Sequence, residues 1–339
     1  MRIRLPSRLG FLGWLLFAVV EAQVQNQDPL PSWNDGAAKQ AIIKFVRDTT
    51  TPSSPNFVPP EQRIAAFDQD GTMWVEHPLY TQLVFALDRV AALAPKHPEW
   101  KTTQPFQTVL SGDKAAIAKL TMKDLEAIVM ATHTGMTVDQ FQVIVKEWIS
   151  KTKNPRWNRP YTELVYQPML EVMKYLRANG YKTYIVTGGG QDFVRVYAEH
   201  VYGIPPEQVI GSALETHYTY NSQGQGILMR PPKLIINDNF SGKPEDIYLF
   251  TGLHSKAAFG NSTGDRQMLE YTQAGGGAPL MMLVLHDDAQ REDAYGPAKG
   301  LPDTKVGSFT QALYDEAKSK GWIVISMKND WKRIFAFEP

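Results

Sequence analysis

The 339-residue chain sets 35 Lys and Arg against 35 Asp and Glu, a balance that removes the basic footprint expected of a nucleic-acid binder or of a protein held on an anionic membrane. Its 43% of apolar residues can bury a substantial core, and the absence of cysteine excludes a disulfide framework and a lipidated cysteine. A small-molecule partner fits these limits best.

Arg2, Arg4 and Arg8 precede an apolar run from Leu9 to Val20, and Val20-Glu21-Ala22 places small residues at the minus-three and minus-one positions. Residues 1–22 therefore read as a secretory signal cleaved near Ala22, which implies a periplasmic or secreted protein. The run is short for crossing hydrocarbon, so a membrane anchor is the weaker reading. Residues 23–60 hold a predicted helix from Ala37 to Val46, with Ile42, Ile43 and Val46 on one face, and a Thr-, Ser- and Pro-rich connector from Thr49 to Pro60.

Ile64-Ala65-Ala66-Phe67 then reads as a buried strand that stops in Asp68-Gln69-Asp70-Gly71-Thr72. From Pro78 to about Arg159 the pattern is helical. Leu79–Leu93 is one candidate, and Thr121–Met130 carries Met122, Leu125, Ile128 and Val129 on one face. The Thr137-x-x-Gln140 capping box opens a third helix, with Phe141, Val145, Trp148 and Ile149 inward. A helix over Gln167–Ala178 and a strand over Lys182–Val186 resume an α/β rhythm. That rhythm continues with a helix over Gln191–His200, a hairpin excursion between Val209 and Asn237, a strand over Ser255–Phe259 and a helix over Asp265–Gln273. A strand over Pro279–Leu285, a helix over Phe309–Ser319 and an extended Trp322–Met327 complete it.

Polar groups gather at the ends of these strands. Asp68 and Asp70 lie where open α/β sheets bind ligands; taken alone, they also suit an acidic turn. Thr187-Gly188-Gly189-Gly190 offers a hydroxyl and free amides to a phosphate oxygen, although a glycine run is often a plain turn. Lys243, in Ser241-Gly242-Lys243-Pro244, is a cation able to screen an anionic nucleophile from an anionic substrate; alone it reads as a solvated loop lysine. Gly260-Asn261-Ser262-Thr263-Gly264-Asp265 leaves the next apolar strand.

In this order the four segments resemble the four-motif signature of the haloacid dehalogenase superfamily. They are most similar to its phosphoserine-phosphatase-like branch, because about 120 residues separate Asp68 and Thr187, enough for a helical, C1-type cap. The resemblance implies a Rossmann-like three-layer α/β core with a parallel sheet and an inserted all-helical cap over 77–159; the core is assigned to residues 61–76 and 160–339, of which the stretch after about Gly300 lies outside what the resemblance explains. It also implies a phosphatase in which Asp68 forms an aspartyl phosphate and Asp70 acts first as acid, then as base. Thr187 and the Gly188 amide would hold phosphate oxygens, and Lys243 would neutralise charge, with Thr72 and Asp265 in support. Mg²⁺ would be held by the Asp68 carboxylate, the Asp70 carbonyl and Asn261. Asn261 departs from the pattern, where an aspartate is expected, which weakens the site or shifts its load toward Asp265.

Asp70 argues against a dehalogenase, because expelled halide needs no proton. The implied activity is Mg²⁺-dependent hydrolysis of a small phosphorylated metabolite. A phospho-ligand binding protein with weak or lost turnover is the alternative that Asn261 raises. Trp74, Glu76 and His77 follow the nucleophile closely and either face the leaving group or pack with surface polar neighbours. His133 reads as a loop residue, and His286-Asp287-Asp288 as a solvated turn rather than a metal cluster.

Overall fold

A computed structural model describes residues 28–338, so the candidate signal over residues 1–22 lies outside the described residues. Seven strands form the central sheet: β1 (Ile64–Phe67), β2 (Lys182–Gly190), β3 (Val209–Leu214), β4 (Leu234–Ile236), β5 (Ala257–Gly260), β6 (Leu280–Leu285) and β7 (Ile323–Ser326). Their spatial order is β7-β6-β5-β1-β2-β3-β4, parallel throughout except for β4, which runs antiparallel to β3. From β1 the chain builds outward through β2, β3 and β4, then returns to β1's other side for β5, β6 and β7. The strand order therefore reverses at β1, and the carboxyl ends of β1 and β5 flank the crevice this topology opens for a ligand.

Alternation along the strands separates two cores. Ala65, Phe67, Ile185, Ala257, Phe259, Met282 and Val284 face α1 (Ala37–Thr50) and, later in the chain, the helix Gln167–Ala178. Ile64, Ala66, Val186, Ala258 and Leu283 face the opposite way, onto Ile247, Met268, Leu269, Leu313 and Ala317. With both faces covered, β1 and β5 are buried along their whole length, which is why they read as unbroken apolar runs. The result is the expected three-layer α/β core.

Between β1 and β2 lie α2 (Thr81–Leu93), α3 (Met122–His133), α4 (Val138–Lys151) and α5 (Gln167–Ala178). Thr121 with Asp124, and Thr137 with Gln140, form capping boxes at the starts of α3 and α4. Ala86, Val90, Trp100, Val109 and Ile128 give the insert a small core of its own. Phe85 seats it on the main body, with its ring centroid 5.4 Å from that of Phe193, and packs at 6.0 Å on Phe141 of α4 within the insert.

The predicted helix over Gln191–His200 breaks into Gln191–Arg195 and Ala198–Tyr202. Tyr197 leaves helical geometry between them, at φ −123°, and stacks on Trp74 at 4.9 Å. The excursion from Val209 to Asn237 adds β3 and β4 to the main sheet. Only His217–Tyr220 and Gly226–Met229 form the separate hairpin. Both ends of the described chain are tied to α5's surroundings: Trp33 packs edge-on against Trp331 at 6.0 Å, and Ser32 donates from its amide and hydroxyl to Glu171 at 2.9 and 2.6 Å.

Phe67 and Phe259 are register partners on β1 and β5, with rings stacked at 4.4 Å. Phe259→Ala is expected to lower unfolding free energy by about 3–5 kcal/mol in urea titrations, and a loss under about 1 kcal/mol would refute this account of the core.

Candidate active site

The Asp68 amide donates to the Phe259 carbonyl at 2.9 Å, a last β1–β5 bond beyond which the chain turns out of the sheet. Asp68 is 7% exposed. Lys243 lies in the first turn of α6 (Gly242–Thr251), not in a solvated loop, and its ammonium is buried. It donates to Asp68 Oδ1 at 2.5 Å, Asp265 Oδ1 at 2.7 Å and the Val186 carbonyl at 2.8 Å, which uses all three of its donors. Asp265 Oδ2 accepts the Asn261 and Ser262 amides, each at 3.0 Å. Both Asp265 oxygens are thus engaged, by Lys243 and by the loop amides, which disfavours the alternative in which Asp265 takes over the load from Asn261.

Burial and the neighbouring Asp265 charge push Asp68 up to about 7 against the pull of Lys243. Burial opposes the Lys243 ammonium, but the carboxylates of Asp265, Asp68 and Asp238 outweigh it and hold its pKa above the ordinary lysine range.

Asp70 Oδ1 accepts the Trp74 indole N–H at 2.6 Å. Burial raises Asp70 to about 6 against that bond, which suits a group that must both give and take a proton. Thr72 Oγ1 lies 3.4 Å from Asp68 Oδ2 and 3.2 Å from Asn261 Oδ1, so these two oxygens converge beside one hydroxyl.

Trp74 and Glu76 are 1% and 2% exposed and do not line a substrate surface. Trp74 is held between Asp70 and the Tyr197 ring. Glu76 Oε1 accepts Asn261 Nδ2 at 2.7 Å and the Tyr295 hydroxyl at 2.8 Å.

The Thr187 hydroxyl oxygen accepts the Gly189 amide at 3.1 Å, which leaves its proton to donate. Asn239 crowds Gly188 so closely that a Cβ there would overlap its side chain. The insert reaches this loop through α2. Gln82 Oε1 accepts the Gly190 amide at 2.6 Å, and Gln82 Nε2 lies 3.1 Å from His133 Nε2. His133 is the buried last residue of α3 rather than a loop residue; burial and the nearby Arg230 push it down to about 3, so it is neutral. A cavity of about 810 Å³ between α2, α3 and α4, lined by Arg89, Leu93, Met136 and Val143, contains none of the residues around Asp68.

His286 is likewise buried and not part of a solvated turn. Its Nε2 donates to the Gly71 carbonyl at 2.7 Å, and its Nδ1 lies 3.1 Å from Glu292 Oε2. His286, Glu292, Tyr295, Gln82 and Asn239 are the site residues that sequence reasoning missed. One signal pointed to His286: it follows the apolar strand β6, next to β5, at the carboxyl edge where this topology places ligands.

No curated protein matches the chain. Among solved structures it is similar to a conserved functionally unknown protein from Anaerococcus prevotii DSM 20548, with 14% identity and a TM-score of 0.50 over 74% of this chain and 86% of that one. It also matches a protein with unknown function from Bordetella pertussis Tohama I, at 15% identity and a TM-score of 0.48, over 78% and 98%. A phosphoserine phosphohydrolase-like protein from Francisella tularensis subsp. tularensis SCHU S4 matches at 15% identity and a TM-score of 0.37, over 66% and 88%. The Anaerococcus likeness speaks for the fold alone. The family model described as haloacid dehalogenase-like hydrolase matches residues 65–270, a span that holds Asp68, Asp70, Thr187, Lys243, Asn261 and Asp265. That match covers more than half of the chain, which belongs to the haloacid dehalogenase-like hydrolase family.

Proposed function

We propose that the protein is a phosphomonoester hydrolase acting through an aspartyl phosphate, of the phosphoserine-phosphatase-like kind. The observation that carries this reading is the buried Asp68 carboxylate, fixed by Lys243 at the switch point of the sheet, with a second acid, Asp70, two residues on. An Asp68 oxygen forms a bond to phosphorus as the ester oxygen leaves, and Asp70 protonates the departing alkoxide. Trp74 occupies Asp70 Oδ1, so Oδ2 carries the proton. Water then attacks the aspartyl phosphate, Asp70 takes its proton, and phosphate and the free Asp68 carboxylate are restored. Thr187 donates to a phosphoryl oxygen, and Lys243 balances the charge that builds at the reacting centre. Binding alone does not require a second acid beside the nucleophile, which favours the enzyme over a phospho-ligand binding protein.

The residues present fit Mg²⁺. Asp68 and Asp265 share the single ammonium of Lys243, with Asp238 and Asp70 nearby, more carboxyl groups than cations around one buried lysine. The Asp68 carboxylate, the Asp70 carbonyl and Asn261 Oδ1 would hold the ion, an all-oxygen set suited to a hard cation. When bound, it supplies further electrostatic stabilisation to the phosphoryl oxygens. Residues 77–159 act as the cap over the core of 61–76 and 160–339, admitting a small phosphorylated metabolite and excluding water. Export after cleavage near Ala22 completes the proposal on the strength of the Leu9–Val20 run. Among the described residues, no helix is long and apolar enough to cross a membrane.

Asp68→Asn is expected to abolish hydrolysis of an aryl phosphate while the circular dichroism spectrum stays native, and Asp70→Asn to lower turnover about 10²–10⁴-fold. Retained activity in Asp68→Asn would exclude this mechanism.

Asp68 also sets a pH dependence in metal-free protein. Its folded pKa of about 7 lies above the ordinary 3.8, so between these values the folded state binds more protons than the unfolded one. The stability it contributes is full below the lower value and lost as pH rises through the upper one. In EDTA, Asp68→Asn should therefore gain stability relative to the parent between pH 5 and pH 7.5 in urea titrations. Excess Mg²⁺ should stabilise the parent more at pH 7.5 than at pH 5. A pH-independent difference between parent and variant would contradict the assignment.

A further inference from the structure

We infer that Glu76 is a positioning residue for Asn261, turning its amide so that the oxygen faces Asp68 and the nitrogen faces away. This rests on the Mg²⁺ reading above and assigns Glu76 a place in it. An aspartate at position 261 would offer two equivalent oxygens and need no orienting. Asparagine offers one oxygen and one NH₂, and the wrong face would set N–H dipoles against a cation.

The surroundings settle which face is presented. Asn261 Nδ2 donates to Glu76 Oε1 at 2.7 Å, while Oδ1 lies 3.2 Å from the Thr72 hydroxyl that also neighbours Asp68 Oδ2. Reversing the amide would bring its oxygen against the Glu76 oxygen and lose the bond. Glu76 has no room to swing aside. The Tyr295 hydroxyl donates to the same Oε1 at 2.8 Å, and the Tyr295 ring packs on His286 at 4.3 Å and on His77 at 3.8 Å. Glycines close the enclosure at Gly71 (φ +73°) and Gly307 (φ +65°), where a Cβ would overlap the Glu76 carboxylate. Substitution of an amide for a carboxylate and burial of an acceptor behind it are thus two parts of one arrangement: Glu76 supplies the direction that Asn261 lacks.

The test is calorimetric titration of the purified protein with MgCl₂, a readout separate from turnover. Glu76→Leu is expected to weaken the Mg²⁺ dissociation constant at least tenfold. Asn261→Asp in the Glu76→Leu background should return it to the parent value or tighter, because a carboxylate needs no partner to orient it. An unchanged dissociation constant in folded Glu76→Leu overturns the inference, as does a loss that Asn261→Asp fails to recover. If Glu76→Leu does not fold, Glu76→Met, which also removes the acceptor, carries the same comparison, with weaker binding recovered by Asn261→Asp expected and unchanged binding contrary. A parent that binds no Mg²⁺ overturns both this inference and the metal reading, whereas a parent that binds Mg²⁺ indifferently to Glu76 overturns this inference alone.

Discussion

One ammonium group holds the catalytic end of the sheet together. Lys243 donates to Asp68 at the end of β1, to the Val186 carbonyl within β2 and to Asp265 just beyond β5, so a single side chain fixes three adjacent strands at the switch point. Removing these charges from water is costly, and a buried ion pair returns little net stability against a well-packed apolar alternative. Loss of one partner is another matter, at about 3–5 kcal/mol, because the remaining charge is stranded. The arrangement is therefore better understood as a constraint on geometry than as a source of stability: it places the Asp68 oxygens where the topology opens for a ligand, with their charge only partly balanced.

The loop from Asp68 to Glu76 needs a second support, and the carboxyl end of β6 provides it. Burial lowers His286 to about 4, so its imidazole is neutral and donates from Nε2 to the Gly71 carbonyl. Nδ1 is then an acceptor. The proton between it and Glu292 belongs to the carboxyl, whose pKa burial and the neighbouring Asp293 push well above the ordinary range. A neutral imidazole beside a neutral acid orders the Gly71 turn without adding charge to a site that already has an excess of carboxylates. An ionised pair would meet the same geometric need at a greater desolvation cost.

The scaffold was legible in the sequence because its signals are local and repeated. Apolar runs gave β1, β5 and β6, capping boxes gave the starts of α3 and α4, and Asp68 and Asn261 directly follow β1 and β5, while Thr187 lies near the end of β2 and Lys243 near the start of α6. What the sequence hid was pairing across long separations. Glu76 and Tyr295 are 219 positions apart and Gly71 and His286 are 215 apart, so nothing in the short stretch around either member announces its partner. Proximity to the nucleophile suggested that Trp74 and Glu76 meet a substrate. Packing overrides this, because the turn after β1 runs back beneath the site and buries both side chains. His286-Asp287-Asp288 misled for a similar reason: polar composition suggests solvent, whereas His286 faces inward and Asp287 faces Ser326 on β7.

The contact between insert and core has its own logic. Neutral His133 accepts the Gln82 Nε2–H at its Nε2 while its Nδ1–H donates to Thr132 Oγ1, whose hydroxyl donates to the Ile128 carbonyl. That chain of donors permits one orientation of the Gln82 amide, with Oε1 toward Gly190. Arg230 braces the same junction, donating to the His133 carbonyl at 2.9 Å, pairing with Asp192 and lying over the Phe141 ring. The Gly190 amide, at the end of β2, is thus satisfied by α2 of the insert.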